Sequence, residues 1–142
     1  MNLYVDTSAL LRFALGEPGA VRELRAADRL VSSELLAVES RRTIDRLQRM
    51  GDLRPNEAAR RLDVLATWIE AIDLVLLRAP ILLRAGDPLP SPLGTLDAIH
   101  LATALVWRDR MDQALTLATH DAALGLVARG FGLPVIGTPD HR

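Results

Sequence analysis

Apolar positions in this chain alternate between short strand-like runs and longer stretches with helical spacing. Leu3, Tyr4 and Val5 are strand formers that end at Asp6, and Ala9, Leu10, Leu11, Phe13, Ala14 and Leu15 continue at once as a helix. Gly16-Glu17-Pro18-Gly19 reads as a turn, and Val21, Leu24 and Leu30 predict a second helix over roughly 18–28. Leu30-Val31-Ser32 is a second short strand, after which Ser33 is placed to cap a helix from Glu34 to Met50 that stops at Gly51. On that helix Leu36, Thr43, Leu47 and Met50 make the apolar stripe, and Arg42, Arg46 and Arg49 share another face with Glu39. Arg54-Pro55-Asn56-Glu57 opens a helix to about Ile72 with Leu62, Leu65, Trp68 and Ile69 inward. Leu74 to Leu77 predicts a buried strand, Pro80 to Gly86 a short helix, Leu96 to about Arg110 a longer one, and Ala114 to Ala118 a strand. A helix to Gly130 and a strand Pro134-Val135-Ile136 close the pattern. Strands separated by helices imply an α/β fold whose parallel sheet is covered on both faces.

Composition narrows the picture. A chain of 142 residues with 49% apolar content suits one domain with an ample core. The formal net charge is −1, so a polyanionic partner must be met by a local patch and not by a global field. All 17 basic residues are arginine, a side chain suited to bidentate phosphate contacts, although a GC-rich coding bias explains the same composition more simply. The absence of cysteine excludes disulfides, thiolate nucleophiles and Cys-based zinc sites and agrees with a reducing compartment. The chain enters a strand at its first residues, and its longest apolar stretch, Ile72 to Leu83, is broken by Asp73, Arg78 and Pro80. A soluble, cytoplasmic protein with no membrane partner is the expectation.

Candidate chemistry rests on four carboxylates. Asp6 and Asp121 each follow a strand directly, where open α/β sheets bind ligands, and Asp97 opens a helix after the loop Asp87 to Thr95, which Pro88, Pro90 and Pro92 hold extended. Each of the three has a plain alternative as a helix N-cap. Glu39 lies more than a turn inside its helix, so capping does not account for it; its alternative is a solvated side chain paired with Arg42 or Thr43. Gathered in one cleft, the four would repel one another unless a cation is present, and carboxylate oxygens suit Mg²⁺ or Mn²⁺. Such a site can direct water against a phosphodiester, with one or two ions stabilising the attacking and leaving oxygens. Ser8 and Thr119 stand where they can contact substrate or serve only as local turn and cap groups. Arg42 and Arg46 are candidates to follow a phosphodiester backbone, or else belong to a solvated or partner-binding face. His100, amid Ala and Leu, reads as a core or supporting group, and His120 points away if Thr119 and Asp121 point in; both stay outside the catalytic set.

Val5-Asp6-Thr7-Ser8-Ala9-Leu10, the mid-helix Glu39, Leu96-Asp97-Ala98-Ile99-His100-Leu101-Ala102 and Thr119-His120-Asp121 fall in the order and spacing of PIN-domain ribonucleases, and the chain most resembles the VapC-like toxins of bacterial toxin-antitoxin pairs. The resemblance spans essentially the whole chain, to the closing Gly130 to Ile136 signal. It implies a single PIN-like domain over residues 1–142, a three-layer sandwich around a parallel sheet. Asp6, Glu39, Asp97 and Asp121 would be its metal-binding quartet, with Thr119 the accompanying hydroxyl residue. It implies too a Mg²⁺- or Mn²⁺-dependent endoribonuclease, a cognate antitoxin that blocks the site, and a homodimer. Apolar positions on helices, among them Leu62, Leu65, Trp68 and Trp107, exceed what one core requires and also suggest a dimer.

Other folds place an Asp after the first strand. A haloacid-dehalogenase phosphatase has a second acid two residues on, where this chain has Ser8, and both it and a response-regulator receiver use a lysine that is absent here. A PIN fold that binds RNA or protein without cutting remains the alternative from a different class.

Overall fold

In the computed structural model, which describes residues 1–139, five strands pair in parallel in the order β3-β2-β1-β4-β5. They are β1 Asn2–Val5, β2 Arg29–Ser33, β3 Asp73–Val75, β4 Thr116–Ala118 and β5 Val135–Ile136. The helices are α1 Thr7–Ala14, α2 Leu35–Arg49, α3 Pro55–Glu70, α4 Ala79–Ala85, α5 Thr95–Met111 and α6 Ala122–Gly130. From β1 the chain steps outward through β2 and β3, then returns to set β4 on the other side of β1. The strand order therefore reverses between β1 and β4, and the crevice at the carboxyl ends of such a pair is where open α/β sheets bind ligands.

Alternation along the strands divides the core into two layers. Leu3, Val5 and Ala118 face α1, α2 and α3 and pack with Leu10, Leu36, Ile44 and Leu65. Tyr4, Val31 and Leu117 face α5 and α6 and pack with Leu101, Leu105, Trp107, Leu124 and Val127. Helices on both faces of a parallel sheet make the expected three-layer α/β sandwich, with α4 packed along α5.

Four local expectations are corrected. Residues 18–28 hold only one 3₁₀ turn, Arg22–Arg25, because Val21 and Leu24 anchor the segment in the core and the polar residues after them lead straight into β2. The inward face of α2 is Leu36, Ser40 and Ile44, while Met50, at the fraying end, is 67% exposed. On α3 Leu65 is buried but Leu62 is 38% exposed. The run Leu74 to Leu77 yields a three-residue edge strand, Asp73–Val75, in place of a buried one. Ser33 does help to start α2, its hydroxyl accepting from the Leu35 N–H at 3.1 Å.

Ser40 is fully buried and its hydroxyl has no hydrogen-bond partner among the described residues. A desolvated, unpaired hydroxyl inside a helix is destabilising, and alanine is the better helix former. Ser40→Ala is expected to stabilise the protein by about 1 kcal/mol, or roughly 3 °C in melting temperature, by calorimetry. A lower melting temperature would show that the hydroxyl is satisfied in solution.

Candidate active site

Asp6 stands at the crevice because the β1 ladder runs one residue past the strand: its N–H donates to the Ala118 carbonyl at 3.0 Å. Its own carbonyl accepts from the Ala9 and Leu10 N–H groups and starts α1, but its side chain makes no capping bond. Instead, Oδ2 accepts from the Ser8 hydroxyl at 2.6 Å and the Thr119 hydroxyl at 2.8 Å. The Ser8 oxygen accepts the His120 N–H and the Thr119 oxygen accepts the Asp121 N–H, each at 3.0 Å. Two hydroxyls thus hold the ends of β1 and β4 together with Asp6 clamped between them.

Asp121 is a true N-cap, with Oδ1 accepting from the Leu124 N–H at 2.9 Å. Asp97 is not one: Gly94 occupies the cap position of α5, and Asp97 sits in the first turn with no hydrogen bond or ion pair among the described residues. Glu39 reaches across from α2, its Oε1 accepting from the Thr7 hydroxyl at 3.0 Å and lying 2.6 Å from His100 Nε2.

Every one of these carboxylates keeps an oxygen that no protein donor occupies. Among the described residues, Asp6 Oδ1, Glu39 Oε2, Asp121 Oδ2 and both oxygens of Asp97 accept no hydrogen bond. The charges act on one another. Partial burial, then the charges of Asp121, Asp6 and Glu39, push the Asp97 carboxyl up to about 6 against the opposing influence of His100. Burial alone would raise Glu39 as well, but the hydrogen bond and charge of His100 outweigh it and hold Glu39 below its ordinary value.

Oxygen donors with unrelieved negative charge suit a hard dication in their chemistry. Among the described residues no three His, Asp or Glu side chains are grouped so as to hold an ion as they stand. Mg²⁺ is commonly held by one or two protein carboxylates with several waters retained, a smaller demand than a group of three side chains.

Of the arginines named from sequence, Arg42 turns to Asp45 at 3.1 Å, as does Arg49 at 3.0 Å, and Arg46 is exposed. None is held against the carboxylates. A cleft of about 730 Å³ opens beside the first turn of α5 between α4 and the proline loop, lined by Leu82, Leu89, Leu93, Ala98 and Ile99 but by none of the four acids.

His100 is the supporting core group that the sequence suggested, with partners that the sequence did not name. It is fully buried, with Nδ1 2.7 Å from the Tyr4 hydroxyl and Nε2 next to Glu39 and 3.9 Å from Asp6 Oδ1. Burial disfavours the charged ring, yet the Glu39 hydrogen bond and the charges of Asp6, Glu39 and Asp97 prevail and hold it above its ordinary value. The available signal was its place three residues after Asp97, on the same helical face. His120 does turn away, its Nδ1 3.0 Å from the Gly137 carbonyl oxygen.

The PIN domain family model matches residues 3–130, a span that contains all four carboxylates. The chain is also 35% identical over 138 residues to Ribonuclease VapC46 of Mycobacterium tuberculosis, an alignment that covers 94% of this chain and 95% of that protein.

Proposed function

Because the chain belongs to the PIN-domain family, we propose that it is a divalent-metal-dependent endoribonuclease toxin, and that Asp6, Glu39, Asp97 and Asp121 are its metal-binding and catalytic quartet. The observation that carries this reading is the set of carboxylate oxygens left without a hydrogen bond among the described residues near the β1/β4 crevice, where burial, then the neighbouring carboxylates, raise Asp97. Structural carboxylates have their oxygens taken up by donors or cations; among the described residues each of these keeps an oxygen with no hydrogen bond, and only Asp6 Oδ1 has a cation in range, His100 at 3.9 Å.

Bound there, Mg²⁺ or Mn²⁺ supplies the positive charge that stabilises the oxygens of a phosphodiester during hydrolysis. The protein's part is positional. Ser8 and Thr119 fix Asp6, Thr7 and His100 fix Glu39, and the α6 N-terminus fixes Asp121. Ser8, half-buried, is also within reach of substrate, whereas the buried Thr119 hydroxyl serves the clamp.

The reading extends to partners. A cognate antitoxin covers the site, and the 142-residue chain works as one domain in the cytoplasm. No helix among the described residues is long and apolar enough to cross a membrane. A homodimer belongs to the proposal too, although Leu65 and Trp107 are taken up by the core; exposed apolar side chains include Val38, beside Leu62 on the α2–α3 face, and Leu82 and Leu83 on α4. Sedimentation is expected to show a dimer at micromolar protein, and monomer alone would remove that part.

Incubation of the purified protein with RNA and Mg²⁺, followed by sequencing of the ends produced, tests the activity. Discrete internal ends are expected; intact RNA bound without cleavage would favour the binding-module reading. Arg42, Arg46 and Arg49 lie along one stretch of α2 beside Glu39. Their joint replacement by Gln should weaken RNA binding and flatten its salt dependence by about one unit per lost phosphate contact. An unchanged slope in the triple variant would assign these arginines to their partner Asp45 and to solvent.

A further inference from the structure

Glu39 is the one member of the quartet borne by α2, and its side chain is longer than those of the three aspartates. Such a side chain loses more rotamer entropy on fixing than an Asp does, so its placement needs a partner. Its Oε1 has two: the Thr7 hydroxyl from α1 and the His100 ring from α5. Among the described residues, Oε2 accepts no hydrogen bond.

The ring is itself held. Tyr4, fully buried on β1, meets His100 edge to face with ring centroids 5.8 Å apart at 77°, and its hydroxyl lies 2.7 Å from Nδ1. In the neutral ring the Tyr4 hydroxyl donates to Nδ1 and Nε2–H is left to donate to Glu39; in the charged ring Nδ1–H donates to Tyr4 and Nε2–H donates to Glu39 as before. Nε2–H points at the carboxylate in both states. Tyr4 stays a phenol, because burial pushes its ionisation far up.

We propose that the buried line Tyr4–His100–Glu39 is a positioning device that ties β1 and α5 to α2 and fixes Glu39 so that Oε2 faces the crevice. The inference rests on the nuclease reading above. His100 touches neither RNA nor ion; it acts through Glu39, as outer partners of ligating side chains do.

Three variants test it: His100→Leu, which fills the space without a donor, His100→Gln, which can still offer an N–H, and Tyr4→Phe, which keeps the ring and loses the hydroxyl. Rates are read with Mn²⁺ on an RNA oligonucleotide carrying a mapped cleavage site, and folding by circular dichroism. Groups of this kind are worth about 10- to 100-fold, so His100→Leu is expected to lower kcat by that much while KM stays within about twofold. His100→Gln should regain at least about fivefold, Tyr4→Phe should show a smaller fall in kcat, and Tyr4→Phe combined with His100→Leu should be no slower than His100→Leu alone. An exchange-protected imidazole N–H resonance from Nε2 is expected in the metal-free wild type and should be lost in Glu39→Ala.

Wild-type kcat in folded His100→Leu, or His100→Gln no faster than His100→Leu, would overturn the proposal. Should His100→Leu fail to fold, wild-type kcat in Tyr4→Phe together with an unprotected Nε2–H would overturn it equally. If wild-type protein leaves the RNA uncut, the nuclease reading fails and the proposal with it; wild-type cleavage beside an undiminished His100→Leu rate removes the proposal alone.

Discussion

Asp97→Asn is expected to abolish RNA cleavage while leaving the metal-free protein at least as stable as wild type. Asparagine keeps the shape, and Asp97 neither caps α5 nor bonds to the described residues, so no structural contact is lost. What is lost is a negative charge and an anionic donor that the proposed metal site requires. Outer partners of such sites are already worth about 10- to 100-fold, so a donor facing the ion should cost at least about 100-fold. Stability moves the other way. The folded protein raises the Asp97 carboxyl to about 6, above its unfolded value, so ionised Asp97 disfavours folding above that pH and has no effect once protonated in both states. In a chelator, Asp97→Asn should therefore melt at or above the wild-type temperature near pH 7.5, and the gap should close as the pH falls through 6 toward 4. Mn²⁺ should raise the wild-type melting temperature more than the variant's, since an ion bound only by the folded state stabilises it by mass action. Full cleavage with an equal Mn²⁺ shift would exclude Asp97 from the site.

Gly137→Ala is expected to cause the largest loss of stability of any single methyl addition. Gly137 lies just past β5 at φ +100°, and a Cβ there would stand 2.3 Å from the Thr119 carbonyl oxygen and 3.1 Å from Val21 Cγ2. The obstacle is backbone in the strand end that holds Asp6, so no side-chain rotation relieves it. A cost on the order of 3–5 kcal/mol follows, or roughly 10 °C in melting temperature, and the folded remainder should cleave poorly because Thr119 is displaced. Gly51→Ala is the control. It has φ +81° but nothing within 4 Å, and should cost only about 1 kcal/mol. A Gly137→Ala protein melting with wild type would show that β5 can shift freely.

The alternation of strands and helices, and with it the parallel sheet, was legible because each short apolar run is bounded by turn residues and most helices carry an apolar stripe. Legibility failed where the pattern cannot say what lies opposite. Ser40 is inward although polar, and Leu62 outward although apolar, since the facing surface and not the residue type decides. Leu74 to Leu77 looks the same whether a run is central or, as here, at the sheet edge. The three aspartates all read as caps in one dimension; only Asp121 caps with its side chain, since Asp6 holds the N-cap position of α1 but gives its carboxylate to Ser8 and Thr119, and Gly94 takes the cap position ahead of Asp97. His100 shows the same limit most sharply. Its spacing from Asp97 is visible in the sequence, but its contact with Tyr4 and Glu39 spans three elements that only packing brings together.

Cleavage of RNA by the purified protein before and after chelation by EDTA, and again after Mn²⁺ is restored in excess, bears most directly on the quartet. The account predicts cutting at discrete sites, its loss in EDTA and its return at the same sites with Mn²⁺. Cutting at those sites that continues undiminished in EDTA would contradict it.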